Sequence, residues 1–468
     1  MPLGSALKIA YCCSALLPII YIAFKAHELD TNRRHTYAVA RLLDSHVVRM
    51  PSRIARQILG SVPDVPNLIS RPEVRDLNCR RILEGDVGYM SSVSRRVLVE
   101  DRNLDMSCSA IRSRVLAAPN PDENFPLAYA RAVFEGYEHL EEQLSINYSA
   151  ENWYCYTIDV KSTLSFWNKF LKLSSCIPNV VVNHFLYDID SAGHNMNSAH
   201  YDCLKKLRHK QWKYVILMQN HDILIKTQQE VKKIIRTLGG ANDVDIRIAD
   251  PFVLERIQGV ETNLGKLGLC PRNFGPLELA ACRNAHLSWH KGAVQGSLSR
   301  ETVDYIVDNM NISVLVDGLQ RNAYGIDEFL TQTLLTTDAL KIPGRFPARC
   351  MNTTKLAFIS RKVDWQNSEG SECTSNIWRH KVCIYSVEDV ARLSGAREIM
   401  ANKMMPQSDY GAIACIKELL YNRTHRSLND YPLNMTAYET LPMSILSRER
   451  KRNPNYLETM PCECLTGQ

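Results

Sequence analysis

From residue 154 to residue 238 the chain alternates short apolar runs with helical patterns, and this narrows its fold more than any other feature. Tyr154–Ile158 (YCYTI) is rich in strand formers and ends at Asp159. A helical pattern follows, with Leu164, Trp167 and Leu171 on one face. Asn179–Phe185 reads as the next strand, and residues 197–209 as the next helix. Tyr214–Met218 (YVILM) is a fully apolar run of strand length, followed by a helix over 228–238. Strands that alternate with helices predict an α/β fold with a largely parallel sheet. In such sheets the polar residues just past the strand C-termini line the ligand crevice. Asp159 and the run Gln219–Asp222 occupy those positions.

The 468 residues allow one large domain or two medium ones. The net charge of +6 is dispersed, which suits an anionic small substrate and excludes a nucleic-acid surface. Fifteen cysteines are many for a cytosolic enzyme. With no CxxC pair among them, a zinc ribbon is excluded and disulfides in an oxidising lumen are expected. Sequons at Asn147, Asn311, Asn352, Asn422 and Asn434 point the same way.

Residues 9–24 (IAYCCSALLPIIYIAF) carry no charge and are flanked by Lys8 and Lys25. Such a run spans roughly 24 Å as a helix, and Ala6, Leu7 and a snorkelling Lys8 extend it. A cleaved signal peptide is the competing reading, but no small-x-small cleavage site follows before Lys25. The expected organisation is a cytoplasmic tail (1–8), a transmembrane signal anchor (9–24), a stem (25–75), a luminal catalytic domain (76–445) and a solvated C-terminal tail (446–468) that holds the RERKR run.

Several segments then follow in a specific order. They are FPLAYARAVFEGYEHLEEQL (125–144), WYCYTIDVKS (153–162), WKYVILMQNHDILIKT (212–227), KGAVQGSLSRE (291–301), YGIDEFLTQTL (324–334), KVCIYSVEDVARL (381–393) and ANKMM (401–405). Together they resemble the core-2/I-branching β-1,6-N-acetylglucosaminyltransferases over roughly residues 76–420. The resemblance implies a GT-A-type glycosyltransferase fold with a central, largely parallel sheet behind the N-terminal helix and stem. It also implies a Golgi location as a single-pass type II membrane protein, and disulfides Cys79–Cys415, Cys108–Cys176, Cys155–Cys203 and Cys373–Cys383. Closing the longest of these loops stabilises by ~4 to 5 kcal/mol in the chain-entropy account. Cys270, Cys282 and Cys350 have no partner in this scheme and read as small buried hydrophobes.

The implied chemistry is inverting transfer of N-acetylglucosamine, with glucose as a competitor, from a UDP-sugar to a C6 hydroxyl of a galactose- or N-acetylgalactosamine-containing glycan. Such a displacement needs a base for the acceptor proton, positive charge for the departing diphosphate, and walls that align both sugars. Glu328 in IDEFL matches the family's base; spacing alone reads Asp327 and Glu328 as helix-start acids, and Asp327 is expected to orient neighbours. On the donor side the expected residues are Asp159, Lys161, His380, Lys381 and Lys403. His380, flanked by Arg379 and Lys381, stands where the family carries an arginine; a planar guanidinium and a lysine are not interchangeable on phosphate, so either a neighbour substitutes or donor binding is weakened. On the acceptor side they are Asp245, Arg256, Trp365 and Gly292, with Val253 where a lysine is expected and Asn367 in place of a tyrosine.

No metal cofactor is implied, although Asp188-Ile-Asp190 and Asp243-Val-Asp245 are Asp-x-Asp tripeptides of the kind that hold one, the first the better placed. Asp222 and Lys226 read as a structural pair at helical spacing. His194, His200, His286 and His290 read as surface or satisfied core residues, and there is no nucleophile elbow for a hydrolase. The expected partners are the UDP-sugar, a glycoprotein O-glycan acceptor, the membrane through the N-terminal helix, and a second copy of the chain as a homodimer. Two competing readings stay open: a protein O-xylosyltransferase-like enzyme, and a non-catalytic luminal glycan- or nucleotide-binding protein on the same fold.

Overall fold

The computed structural model describes residues 71–352, 356–368, 370–426, 433–453 and 455–462. The expected cytoplasmic tail, signal anchor and nearly all of the stem lie outside the described residues. Among the described residues no helix is long and apolar enough to cross a membrane.

The strands are β1 (Leu127–Val133), β2 (Trp153–Asp159), β3 (Val180–Tyr187), β4 (Tyr214–Met218), β5 (Ile223–Leu224), β6 (Asp243–Val244), β7 (Arg247–Ile248), β8 (His290–Lys291), β9 (Gly296–Ser299), β10 (Arg361–Lys362), β11 (Trp378–Arg379), β12 (Val382–Cys383) and β13 (Met400–Ala401). The first four form the expected parallel sheet, in the order β3-β2-β1-β4, and β9 and β6 extend it antiparallel beyond β4. A second sheet, β10-β13-β5, the hairpin β11–β12 and the two-stranded pair β7–β8 complete the architecture of the described residues. This mixed α/β arrangement with a mostly parallel centre is GT-A-like.

The principal helices are α1 (Tyr137–Asn147), α2 (Leu164–Cys176), α3 (Met196–Leu207), α4 (Gln228–Leu238), α5 (Arg300–Asn309), α6 (Leu330–Thr336), α7 (Pro406–His425) and α8 (Pro442–Arg452). Side-chain alternation along the strands divides the core between the two sheet faces. Tyr129, Tyr154, Tyr156, Ile216 and Met218 pack under α1, α2 and α4. Ala128, Ala130, Val215 and Leu217 pack under α3, α5 and α6, and the two alanines let α3 lie close. Helix starts are set locally: Thr163 caps α2, Ser299 caps α5, and Thr227 with Glu230 forms a capping box on α4.

The helix over 164–176 turns a different face inward from the one expected. Phe166, Phe170, Leu173 and Cys176 are buried, while Leu164 is 76% exposed and Leu171 39%. Two apolar stripes run along α2, and the aromatic one packs against Tyr137 and Tyr156.

All four expected bridges are present, Cys79–Cys415, Cys108–Cys176, Cys155–Cys203 and Cys373–Cys383. Cys270, Cys282 and Cys350 are not free hydrophobes: Cys270 joins Cys282, and Cys350 joins Cys462. The second of these corrects the solvated-tail expectation for the described residues. Leu446, Leu457 and Met460 are core residues, Ser447 Oγ donates to the Gly239 carbonyl at 2.7 Å, and Arg349 donates to the carbonyls of Leu457 and Met460. At the other end the folded domain already includes residue 71. Arg71 pairs with Glu138 and Glu142, and Val74 is buried.

Two sequons are sealed by the fold. Asn147 and Asn422 are buried, and the Asn147 amide donates to the Gln143 carbonyl at 2.9 Å, so neither has room for a glycan. Asn311, Asn352 and Asn434 are exposed. Asp222 and Lys226 do not pair: Asp222 meets Arg361, and Lys226 donates to the Ala396 carbonyl.

Candidate active site

Past the C-terminal ends of β1, β2 and β4 lie Asp159 and the run Gln219–Asp222, the polar residues that the strand pattern singled out. Buried Arg131 in β1 organises this run, donating to the carbonyls of Gln219, Asn220 and Asp222 at 3.0, 2.8 and 2.6 Å. Asn220 Oδ1 in turn accepts from the Phe134 and Glu135 amides. A charged group spent on three carbonyls fixes a turn that would otherwise carry unpaired acceptors. Beside it Asp159 is buried at the end of β2, accepting from the Lys161 amide at 2.7 Å and the Ile189 amide at 3.1 Å. Lys161 Nζ reaches Asp159, Asp188 and the Ile189 carbonyl.

The Asp-x-Asp tripeptides make their own contacts nearby. Asp188 is ion-paired to Lys161, and Asp190 accepts from the Ala192 and His194 amides and from His194 Nδ1 at 2.7 Å. Asp243 is buried and accepts from the Ile359 and Ser360 amides and the Ser360 hydroxyl; desolvation pushes its carboxyl up to about 6. Asp245 holds the Ala293 amide and Arg247. Each pair of carboxylates is committed to its own chain, and among the described residues no three acidic, histidine or cysteine side chains converge as a metal site.

Positive charge gathers at the same rim. The Lys403 amine is pushed down to about 8 by burial, then by the charges of Arg361 and Arg379. Arg361 is buried and its Nε donates to Asp222 Oδ1 at 3.2 Å. Arg379 ends β11 and its Nη1 lies 3.7 Å from Met405 Sδ, two residues beyond Lys403. His380 and Lys381 are the two residues of the β11–β12 turn; both are exposed, with φ of 52° and 63°. This left-handed pair is what a two-residue hairpin turn demands. His380 and Lys381 occupy the turn itself, while Arg379, also exposed, adds its charge at Lys403 after that of Arg361.

Glu328 sits in a 3-10 turn, Ile326–Glu328, just before α6. Its Oε2 is shielded from solvent, lying 3.3 Å from Lys291 Nζ and 3.7 Å from Arg256 Nη1. Its carbonyl accepts from the Gly292 amide at 2.9 Å. Arg256 also stacks over Tyr324 at 5.5 Å. Desolvation, and next the Glu328 charge, push the neighbouring Asp327 carboxyl up to about 7. Asp327 is packed on Gly193, where a Cβ would fall 2.2 Å from Oδ1. The loop after β3 ties this turn to the strand ends: the Gly325 amide donates to the Ala192 carbonyl at 2.7 Å, and the Ile189 amide donates to Asp159 at 3.1 Å.

Glu328, Asp245, Gly292 and Arg256 therefore gather on one wall, and Asp159 and Lys403 on the strand-end side. Trp365 is carried near the β11–β12 hairpin, bridged to Val382 and 39% exposed, while Val253 is buried in the core and offers no charge. Lys291 and Arg361 were not singled out from sequence, and Arg379 was marked only as one neighbour of His380 that could substitute for the missing arginine. Arg379 adjoins His380 and Lys291 opens the acceptor segment, but only the fold shows which charges converge.

Residues 127–394 match the core-2/I-branching enzyme family. Across about three quarters of its length the chain is also similar to proteins named beta-1,3-galactosyl-O-glycosyl-glycoprotein beta-1,6-N-acetylglucosaminyltransferase. The human protein is 27% identical over 386 residues, covering 75% of this chain and 87% of the relative. A form from bovine herpesvirus 4 (strain LVR140) is 25% identical, covering 76% and 85%. The sheep protein with the same name and the suffix 3 is 26% identical, covering 75% and 84%.

Proposed function

The chain belongs to the core-2/I-branching enzyme family, and from that premise we propose that it is an inverting glycosyltransferase that moves N-acetylglucosamine from a UDP-sugar to a C6 hydroxyl of an O-linked glycan, making a β-1,6 branch. Glu328 takes the proton of the acceptor hydroxyl. That oxygen bonds to the anomeric carbon of the donor from the face opposite the diphosphate. The bond to the diphosphate oxygen breaks and UDP leaves with the electron pair, so the anomeric configuration inverts.

Lys403 and Arg379, with Arg361 behind them, receive the charge that develops on the leaving group. The proposed transfer uses no metal: basic side chains take the diphosphate charge, and Asp188 and Asp190 pair with Lys161 and His194. Asp159 and Lys161 bound the nucleoside end, and Asp245, Gly292 and Arg256 form the acceptor wall. The observation that supports the reading is the loop after β3: its Ile189 amide donates to Asp159, and its Ala192 carbonyl accepts from the Gly325 amide at 2.7 Å, so the strand-end side and the Glu328 turn border one loop.

Six disulfides, three exposed sequons and the apolar run over 9–24 support a Golgi-membrane protein with a luminal catalytic domain. The test uses the purified full-length chain in detergent with UDP-N-acetylglucosamine or UDP-glucose and a galactose-β-1,3-N-acetylgalactosamine acceptor, with and without EDTA. The expected result is EDTA-resistant N-acetylglucosamine transfer that Glu328→Gln abolishes while UDP binding persists. EDTA-sensitive transfer overturns the metal-free assignment; transfer undiminished in Glu328→Gln overturns the assignment of the base.

A further inference from the structure

Lys291 is placed more rigidly than a surface lysine. Its strand, β8, pairs with β7 so that Lys291 stands opposite Arg247. On one side the His290 amide donates to Thr333 Oγ1 at 3.2 Å, and that hydroxyl donates back to the His290 carbonyl. On the other side the Gly292 amide donates to the Glu328 carbonyl at 2.9 Å, and Gln332 holds the Ala293 carbonyl at 2.6 Å. The lysine backbone is thus tied to the same turn and helix that carry Glu328. Its side chain is 18% exposed and its Nζ is 3.3 Å from Glu328 Oε2.

That oxygen has no hydrogen-bond partner and no access to water. A charged oxygen in such a place needs a nearby cation, since burial without one is costly. Arg256 is farther, at 3.7 Å, and part of its guanidinium lies over Tyr324. Gly325 keeps this corner open, because a Cβ there would come within 2.8 Å of Arg256 Nη1.

We propose that Lys291 is a positioning residue for the transfer: its ammonium holds the inner oxygen of Glu328, so that the carboxylate presents its other oxygen to the acceptor hydroxyl. The inference rests on the proposed activity and adds a residue to it. Lys291 acts through Glu328 and not on the donor. Displacing a catalytic group by about 1 Å costs on the order of 100-fold in rate. Lys291→Gln is therefore expected to lower kcat by about 10- to 100-fold, leaving the donor KM, UDP affinity and melting temperature near wild type. Lys291→Arg restores most of the rate.

The experiment measures kcat and KM for wild type, Lys291→Gln, Lys291→Arg, Glu328→Gln and the Lys291→Gln/Glu328→Gln double variant of the full-length chain. In the Glu328→Gln background, Lys291→Gln is expected to change the residual rate by less than about 2-fold, because the two act as a unit. A Lys291→Gln enzyme within about 3-fold of wild type, independent losses in the double variant, or loss of UDP binding and thermal stability without rescue by arginine each overturns the proposal. Wild type that transfers no sugar overturns the activity itself and the proposal with it, which separates that failure from a failure at Lys291.

Discussion

A Cβ placed on Gly292 would fall 1.7 Å from the carbonyl oxygen of Asp245. The two backbones touch, and the Gly292 amide simultaneously holds the Glu328 carbonyl. Gly292→Ala must therefore push β7 and β8 apart. Overpacking of this kind costs about 1–3 kcal/mol. Denaturant unfolding is expected to show that loss, and transfer is expected to fall further than stability because the displaced strand carries both Lys291 and the contact to Glu328.

Arg379 lies beside Lys403, whereas His380 lies in the hairpin turn. UDP titrated by calorimetry into Arg379→Ala is expected to bind about 10- to 100-fold more weakly, the loss of one or two charge-assisted hydrogen bonds. His380→Ala is expected to stay within about 2-fold of wild type. The reverse ranking would return the phosphate contact to residue 380.

The Lys403 amine titrates near 8 in the free protein, displaced downward by burial and by two guanidinium neighbours. A bound diphosphate favours its charged form, so above that pH binding must draw a proton from solution. UDP affinity is expected to weaken by about 4-fold from pH 7 to pH 8.5 through this group. Lys403→Gln should bind weakly at both pH values and lose that part of the slope.

Asp327 behaves oppositely for stability. Its carboxyl is raised from 3.8 to about 7 in the fold, so between those values the folded chain holds a proton that the unfolded chain has released. Its contribution is fully present below pH 4 and is lost as the pH rises toward 7. Asp327→Asn keeps a neutral side chain at every pH. Its melting temperature relative to wild type is expected to rise from pH 5 to pH 7.5, and a constant difference would sink the account.

The parallel sheet was legible because its inner strands are buried on both faces and read as nearly unbroken apolar runs between turn residues, as in Tyr214–Met218. The inward face of α2 was not, since Leu164, Trp167 and Leu171 make as good a stripe as Phe166, Phe170 and Leu173, and only the neighbouring rings decide between them. Asp159 and Glu328 could be found from their places in ordered segments. Arg379 and His380 are adjacent in sequence, and only the fold shows that Arg379 ends a strand while His380 begins the left-handed turn. Lys291 and Glu328 lie on separate segments and meet because the Gly292 amide bonds the Glu328 carbonyl. The Cys270–Cys282 and Cys350–Cys462 pairings carry no sequence signature of their own.

The Cys350–Cys462 bridge bears on how the protein is shortened for expression. A truncation at residue 445, the boundary that the RERKR run suggests, would remove Leu446, Leu457 and Met460 from the packed interior. It would also leave Cys350 as an orphan thiol in an oxidising compartment. The secreted product is then expected as disulfide-linked aggregates, whereas a chain that keeps residue 462 can close its last covalent loop.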